Sequence, residues 1–300
     1  MTATTPEGAP AWFTEALAAS VEVGIVNVGG ADIHYRAWGK PGDESGIVLV
    51  HGGAAHSRWW DHIAPFLAGD RRVVALDLSG HGDSGRRPEY RMELWADEVL
   101  ATAEAGRAGP HPLVIGHSMG GMVSLTTARL RGSELAGAVA IDTPFWDNLP
   151  EDAAANAQQA FGPLRTYPTK DDALRRFKLI PTQDGNVPAV LAHIAETSLH
   201  ERASGWSWKF DPNVFRGRTT LRTLTLPQCR VAVFRAERGL VPPDMGDLIA
   251  ERLGRVVPVV EIPFSAHHVM IDQPLSLITG LRTLLADWTH SEPHKPTPEV

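Results

Sequence analysis

Three short apolar runs, 47–50 (IVLV), 73–76 (VVAL) and 113–115 (LVI), contain no polar alternation. That is the pattern of strands covered on both faces. Ahead of them, 21–28 and 33–38 read as two strands of a hairpin turning at Gly29-Gly30. Further strands are predicted at 136–141, 230–234 and 259–262. Helical spacing fills the intervals: 92–106, 119–130, 244–253 and 275–288. Trp59, Trp60, Ile63, Phe66 and Leu67 also fall at near-helical spacing over 58–67. Strand alternating with helix implies an α/β domain, with a mostly parallel sheet and helices on both faces.

The rhythm breaks at 145–225. Strand patterns disappear, and helix-like stretches alternate with Pro, Gly and Asp breaks among scattered aromatics such as Trp146, Phe177 and Trp208. The expectation is a helical cap inserted into a core formed by 22–144 and 226–290. Residues 1–21 read as a loosely attached arm with a short helix at 12–19. The polar, Pro-rich 291–300 reads as a disordered tail.

Composition narrows the class. Three hundred residues with 43% hydrophobic content suit one large α/β domain. A net charge of −7 with no basic stripe argues against a nucleic-acid partner. No run approaches the length of a membrane span, and the first twenty residues do not read as a signal peptide. The single cysteine, Cys229, excludes an internal disulfide and fits a reducing compartment, so a cytoplasmic location is expected.

The candidate chemistry begins at Gly116-His117-Ser118-Met119-Gly120, between the apolar run 113–115 and the helix predicted at 119–130. A G-x-S-x-G sequence at a strand–helix turn raises its serine hydroxyl above the sheet edge, and the flanking glycines clear space for the sharp turn. A serine needs a base to become a nucleophile. His267 and His268 follow the last predicted strand, at the carboxyl edge where catalytic groups gather in open α/β sheets.

The stretches HGGAAHSRWW, DLSGHGDS, GHSMGG and FSAHHVMIDQP occur in the order and spacing of the α/β-hydrolase-fold family. The chain resembles the capped, serine esterase-like members of that family over roughly 22–290. The resemblance implies that Ser118 is the nucleophile and His267 the base. It implies an oxyanion hole formed by the backbone N–H groups of Met119 and Gly53. His268 is then a wall or packing residue, and it and Trp146 are the candidates for the substrate pocket. His51, His81 and His117 are expected to brace loops, and the thirteen histidines show no metal-site spacing.

The acid of the expected catalytic triad departs from the family pattern. Where the family places an aspartate after the strand at 230–234, this chain has Gly239. Asp142, at the end of the preceding strand, is the preferred substitute; Glu237 is the alternative. A site working without a third member stays open.

Serine at the elbow sets this chain apart from relatives with an aspartate nucleophile. It implies acyl transfer on a carboxylic ester or lactone of a small to medium hydrophobic carbonyl compound, with no cofactor and no metal. Carbon–carbon hydrolysis of a meta-cleavage-type diketone is a second possibility. A non-enzymatic small-molecule receptor on the same scaffold is a third, for which the missing acid at Gly239 is the one favourable feature.

Overall fold

The computed structural model describes residues 8–42, 45–144, 162–215, 227–244 and 257–291. Eight strands form one sheet in the order β1-β2-β4-β3-β5-β6-β9-β10. They are β1 (Glu22–Val28), β2 (Ala31–Trp38), β3 (Ile47–Val50), β4 (Val73–Leu76), β5 (Leu113–His117), β6 (Gly137–Ile141), β9 (Arg230–Arg238) and β10 (Val259–Ala266). β1 and β2 are antiparallel, as are β2 and β4, and every other pairing is parallel. This is the α/β-hydrolase fold.

The unbroken apolar runs follow from burial on both faces. In β3, Ile47 and Leu49 enter one core cluster and Val48 and Val50 the other. β4 divides in the same way, Val73 and Ala75 against Val74 and Leu76. Helices α3 (Met92–Ala105) and α4 (Met119–Arg131) follow β4 and β5, and the final helix is Pro274–His290. The β1–β2 turn holds Gly29 and Gly30 at φ 52° and 84°. Positive φ at both centres is what a tight hairpin turn of this twist requires.

Three expectations change. Residues 8–21 are not a loose arm: α1 (Ala11–Ala18) buries Phe13 completely, its ring edge-on to His193 at 6.0 Å. The helix expected across 58–67 is a 3-10 turn, Ser57–Trp60, followed by the short α2 (Ala64–Ala68). The Asp77 carboxylate accepts from Ser57 N–H at 2.6 Å and holds the start of that turn.

The third change lies in the stretch expected to be a helical cap without strands. It contains the helices Lys170–Leu174 and Pro188–Thr197, but also a hairpin of β7 (Leu199–Arg202) and β8 (Gly205–Trp208). Four-residue strands are too short for alternation to register, and Gly205 turns the chain at φ 116°. The residues just after the hairpin are tied to the core by Gly82 N–H to Lys209 O at 2.7 Å and Tyr90 Oη–H to Asp211 Oδ2 at 2.9 Å. Trp146, most of the helix expected at 244–253 and the tail beyond residue 291 lie outside the described residues.

Candidate active site

The carboxyl ends of β5, β6 and β10 bring three side chains into line. Ser118, between β5 and α4, has φ 53° and ψ −119°, a left-handed conformation rare for a residue with a side chain. The neighbouring glycines make it possible. A Cβ on Gly116 would run into the Gly120 carbonyl, and one on Gly120 would run into the carbonyls of Val50 and His51. Ser118 N–H donates to Ile141 O at 2.9 Å, locking the elbow onto the end of β6.

His267 Nε2 lies 3.1 Å from Ser118 Oγ, and His267 Nδ1 lies 2.7 Å from Asp142 Oδ2. Both hydrogen bonds are satisfied at once by a neutral imidazole protonated on Nδ1, with Nε2 accepting from the hydroxyl. Asp142 is fully buried and His267 only 4% exposed. Asp142 turns its carboxylate towards β9 from a left-handed backbone, φ 40°. Its Oδ1 accepts from Ala236 N–H at 3.1 Å and its Oδ2 from Leu240 N–H at 2.8 Å. Burial pushes this carboxyl up. The hydrogen bond and charge of His267, with the Leu240 and Ala236 N–H groups, outweigh burial and bring it below the ordinary carboxylate value.

Gly239 leaves the Asp142 carboxylate its space. A Cβ at 239 would lie 2.5 Å from Asp142 Cγ and closer still to both oxygens. The carboxylate fills the space that a side chain at the family's usual acid position would take. Glu237 is directed elsewhere: it is exposed, and its Oε2 accepts from Phe264 N–H at 2.6 Å. The alternative acid is therefore not brought to His267.

Gly53 and Met119 flank the serine. A Cβ on Gly52 would stand 3.4 Å from Ser118 Cβ, which puts the 51–53 loop directly against the elbow. Among the described residues, neither Gly53 N–H nor Met119 N–H is matched to an internal acceptor. His51 holds the loop through both ring nitrogens, Nδ1–H donating to Gly52 O at 2.7 Å and Nε2 accepting from Leu78 N–H at 3.0 Å.

His117 Nε2–H donates to the His267 carbonyl at 2.8 Å. Burial, reinforced by the charge of His267, holds its pKa at about 3, so it stays neutral. His268 is buried too, with its ring edge-on to Trp59 at 5.6 Å and to His267 at 4.8 Å. His117, His267 and His268 bring one donor atom each within 4.8 Å of one another. Both nitrogens of His267 are already engaged by Ser118 and Asp142, so a metal ion there would have to break the line.

Three supporting residues escaped the sequence reading. Gln183 Oε1 accepts from His268 N–H at 2.7 Å, and Thr143 Oγ1–H donates to Ser118 O at 3.1 Å. Asp272 Oδ2 accepts from Ala266 N–H at 2.6 Å, next to His267. Burial pushes the Asp272 carboxyl up to about 6. Gln183 and Thr143 belong to no motif, and only the tertiary fold brings them to the site.

A cavity of about 420 Å³ opens beside the elbow, with Gly53 and His268 in its wall. Trp59, Phe177, Trp208 and Phe210 give it an apolar lining. A Cβ on Gly53 would lie 2.8 Å from the Phe215 ring, so the bare backbone admits that ring to the loop.

A serine elbow, a histidine after the last strand and an acid beneath it, on a sheet of this order, define a class of protein. The model of the alpha/beta hydrolase family matches residues 47–278, and the chain belongs to that family. It is 27% identical over 246 residues to pimeloyl-[acyl-carrier protein] methyl ester esterase of Methylococcus capsulatus, covering 74% of this chain and 89% of that one. It is 35% identical to epoxide hydrolase B of Mycobacterium tuberculosis over 127 residues, 40% of this chain and 35% of the relative. Among solved structures, E-2-(acetamidomethylene)succinate hydrolase superposes with a TM-score of 0.73 at 20% identity, covering 89% of this chain and 100% of that one. No helix among the described residues is long and apolar enough to cross a membrane.

Proposed function

We propose that the protein is a serine hydrolase that cleaves a carboxylic ester through an acyl-enzyme on Ser118. The observation that carries this reading is the continuous line Ser118 Oγ–His267 Nε2–Asp142, at 3.1 and 2.7 Å. His267 Nε2 takes the hydroxyl proton as Oγ attacks the carbonyl carbon. The imidazolium is stabilised by Asp142, whose carboxylate is ionised at neutral pH. The carbonyl oxygen becomes an oxyanion facing the N–H groups of Met119 and Gly53, each such donor being worth ~2.7–4 kcal/mol in the transition state. His267 then protonates the leaving alcohol, and water, activated by the same nitrogen, releases the acid and restores Ser118.

The methyl ester esterase is the relative that supports ester cleavage over most of this chain's length. The epoxide hydrolase match is shorter, and epoxide opening by the aspartate route would need a carboxylate where this chain has Ser118. The 162–215 segment is assigned the role of a cap that selects the substrate, because Phe177, Trp208 and Phe210 face the cavity beside Gly53.

Labelling with an alkyl 4-nitrophenyl phosphonate tests the nucleophile. The expected result is stoichiometric release of nitrophenol and one phosphonyl adduct, on the peptide containing Ser118. An adduct elsewhere, or an undiminished adduct in Ser118→Ala, would remove Ser118 from the mechanism.

A further inference from the structure

The cavity is apolar within and cationic at its rim. Arg165, Arg176, Lys178 and Lys209 all line it, and among the described residues no Asp or Glu does. In a chain of net charge −7, that is a local reversal of sign. Lys209 is partly neutralised by Asp83, with Nζ 2.6 Å from Oδ1. Among the described residues, no carboxylate lies within ion-pairing distance of Arg165, Arg176 or Lys178. All three are exposed at the mouth, on the stretch 162–180. Deeper in, the wall passes through Phe177 and Trp208 to Gly53 and His268, beside Ser118.

An uncharged substrate has no use for cations that, among the described residues, face no carboxylate. Like charges set together raise the local potential, and a low-dielectric wall beneath them focuses it. We propose that the ester cleaved at Ser118 carries an anionic group, a carboxylate or phosphate, at the far end of an apolar spacer. The spacer lies along the aromatic wall while Arg176, Lys178 and Arg165 receive the anion at the rim. This rests on the ester-hydrolase reading above and narrows its substrate class from hydrophobic to amphiphilic. The acyl chain supplies burial, and the charge supplies orientation and selection.

The test compares 4-nitrophenyl esters within one preparation. Mono-4-nitrophenyl esters of adipic, suberic and sebacic acids supply the carboxylate, and an ω-phosphonooxy ester of suberic length supplies the phosphate. The 4-nitrophenyl esters of the matching monocarboxylic acids are the neutral references. At least one anionic ester is expected to exceed its neutral partner in kcat/KM by about tenfold at low ionic strength, and the ratio should fall as salt screens the rim. Arg176→Gln/Lys178→Gln is expected to bring the ratio close to one. Because the readout is a ratio in a single sample, any change in folded fraction cancels. Whether the carboxylate or phosphate series shows the larger ratio identifies the anion. Turnover of all esters at ratios near one would overturn the anionic substrate and leave the ester hydrolase standing. A tenfold ratio that survives in the double variant would overturn the assignment of the rim. No turnover of any ester would overturn both readings.

Discussion

Gly239→Ala is a one-methyl change that should impair the site without removing any of its polar groups. The glycine backbone is outside the left-handed region, so alanine is conformationally admissible there. The new Cβ would nevertheless stand 2.5 Å from Asp142 Cγ, whereas real Cβ contacts essentially never fall under 3.0 Å. The Asp142 carboxylate must withdraw by about an ångström, loosening its bonds to Leu240 N–H and His267 Nδ1. A displacement of that size at a catalytic group costs on the order of a hundredfold in rate, about 2.7 kcal/mol of barrier. The assay is kcat on 4-nitrophenyl butyrate, with thermal unfolding to establish that the variant is folded. Gly239→Asp should be at least as damaging. Combined with Asp142→Ala, however, it should recover activity above either single variant, because an acid at 239 then has the vacated space. A Gly239→Ala enzyme with unchanged kcat would refute the idea that the carboxylate acts from this packed position.

Other expectations separate the two candidate acids and expose a pH effect. Asp142→Asn should lower kcat by about 10⁴-fold, since the amide favours the wrong imidazole tautomer, while Glu237→Gln should leave kcat within twofold; the reverse pattern would move the acid to the later loop. For Asp272, the folded pKa of about 6 lies above the ordinary carboxyl value. The folded state therefore holds its proton more tightly than the unfolded chain, and this contribution to stability is lost as pH rises from about 4 through 6. Asp272→Asn still presents an acceptor to Ala266 N–H, so its Tm relative to wild type should improve between pH 5 and 7. A Tm difference independent of pH would contradict this.

Much of this architecture is legible in the chain because its signals are local. IVLV and VVAL can be read as doubly covered strands without any partner, and both appear with unchanged bounds as β3 and β4. The elbow is equally local, since Gly116 and Gly120 announce the turn that carries Ser118. Asp142 is harder. Its competition with Glu237 is decided by which carboxylate can reach His267 across the ends of β6 and β9, and only the contact with Gly239 shows that one fits where the other does not. The β7–β8 hairpin and the burial of Phe13 escape prediction for related reasons. Four-residue strands carry no period, and the Trp12-Phe13 pair gives no sign of which ring enters the core. The charge at the cavity rim is spread over a helix-poor stretch and appears as a patch only once Arg165 and Lys178 stand around one opening.

Rapid-mixing release of nitrophenol from 4-nitrophenyl butyrate by wild type and Ser118→Ala tests the nucleophile most directly. An acyl-enzyme on Ser118 gives a burst approaching one equivalent per enzyme in wild type, followed by steady turnover, with both phases abolished in the variant. Turnover that persists undiminished in Ser118→Ala would contradict the acyl-enzyme. A wild-type protein that binds the ester and releases nothing would contradict the enzyme itself and return the scaffold to a receptor's role.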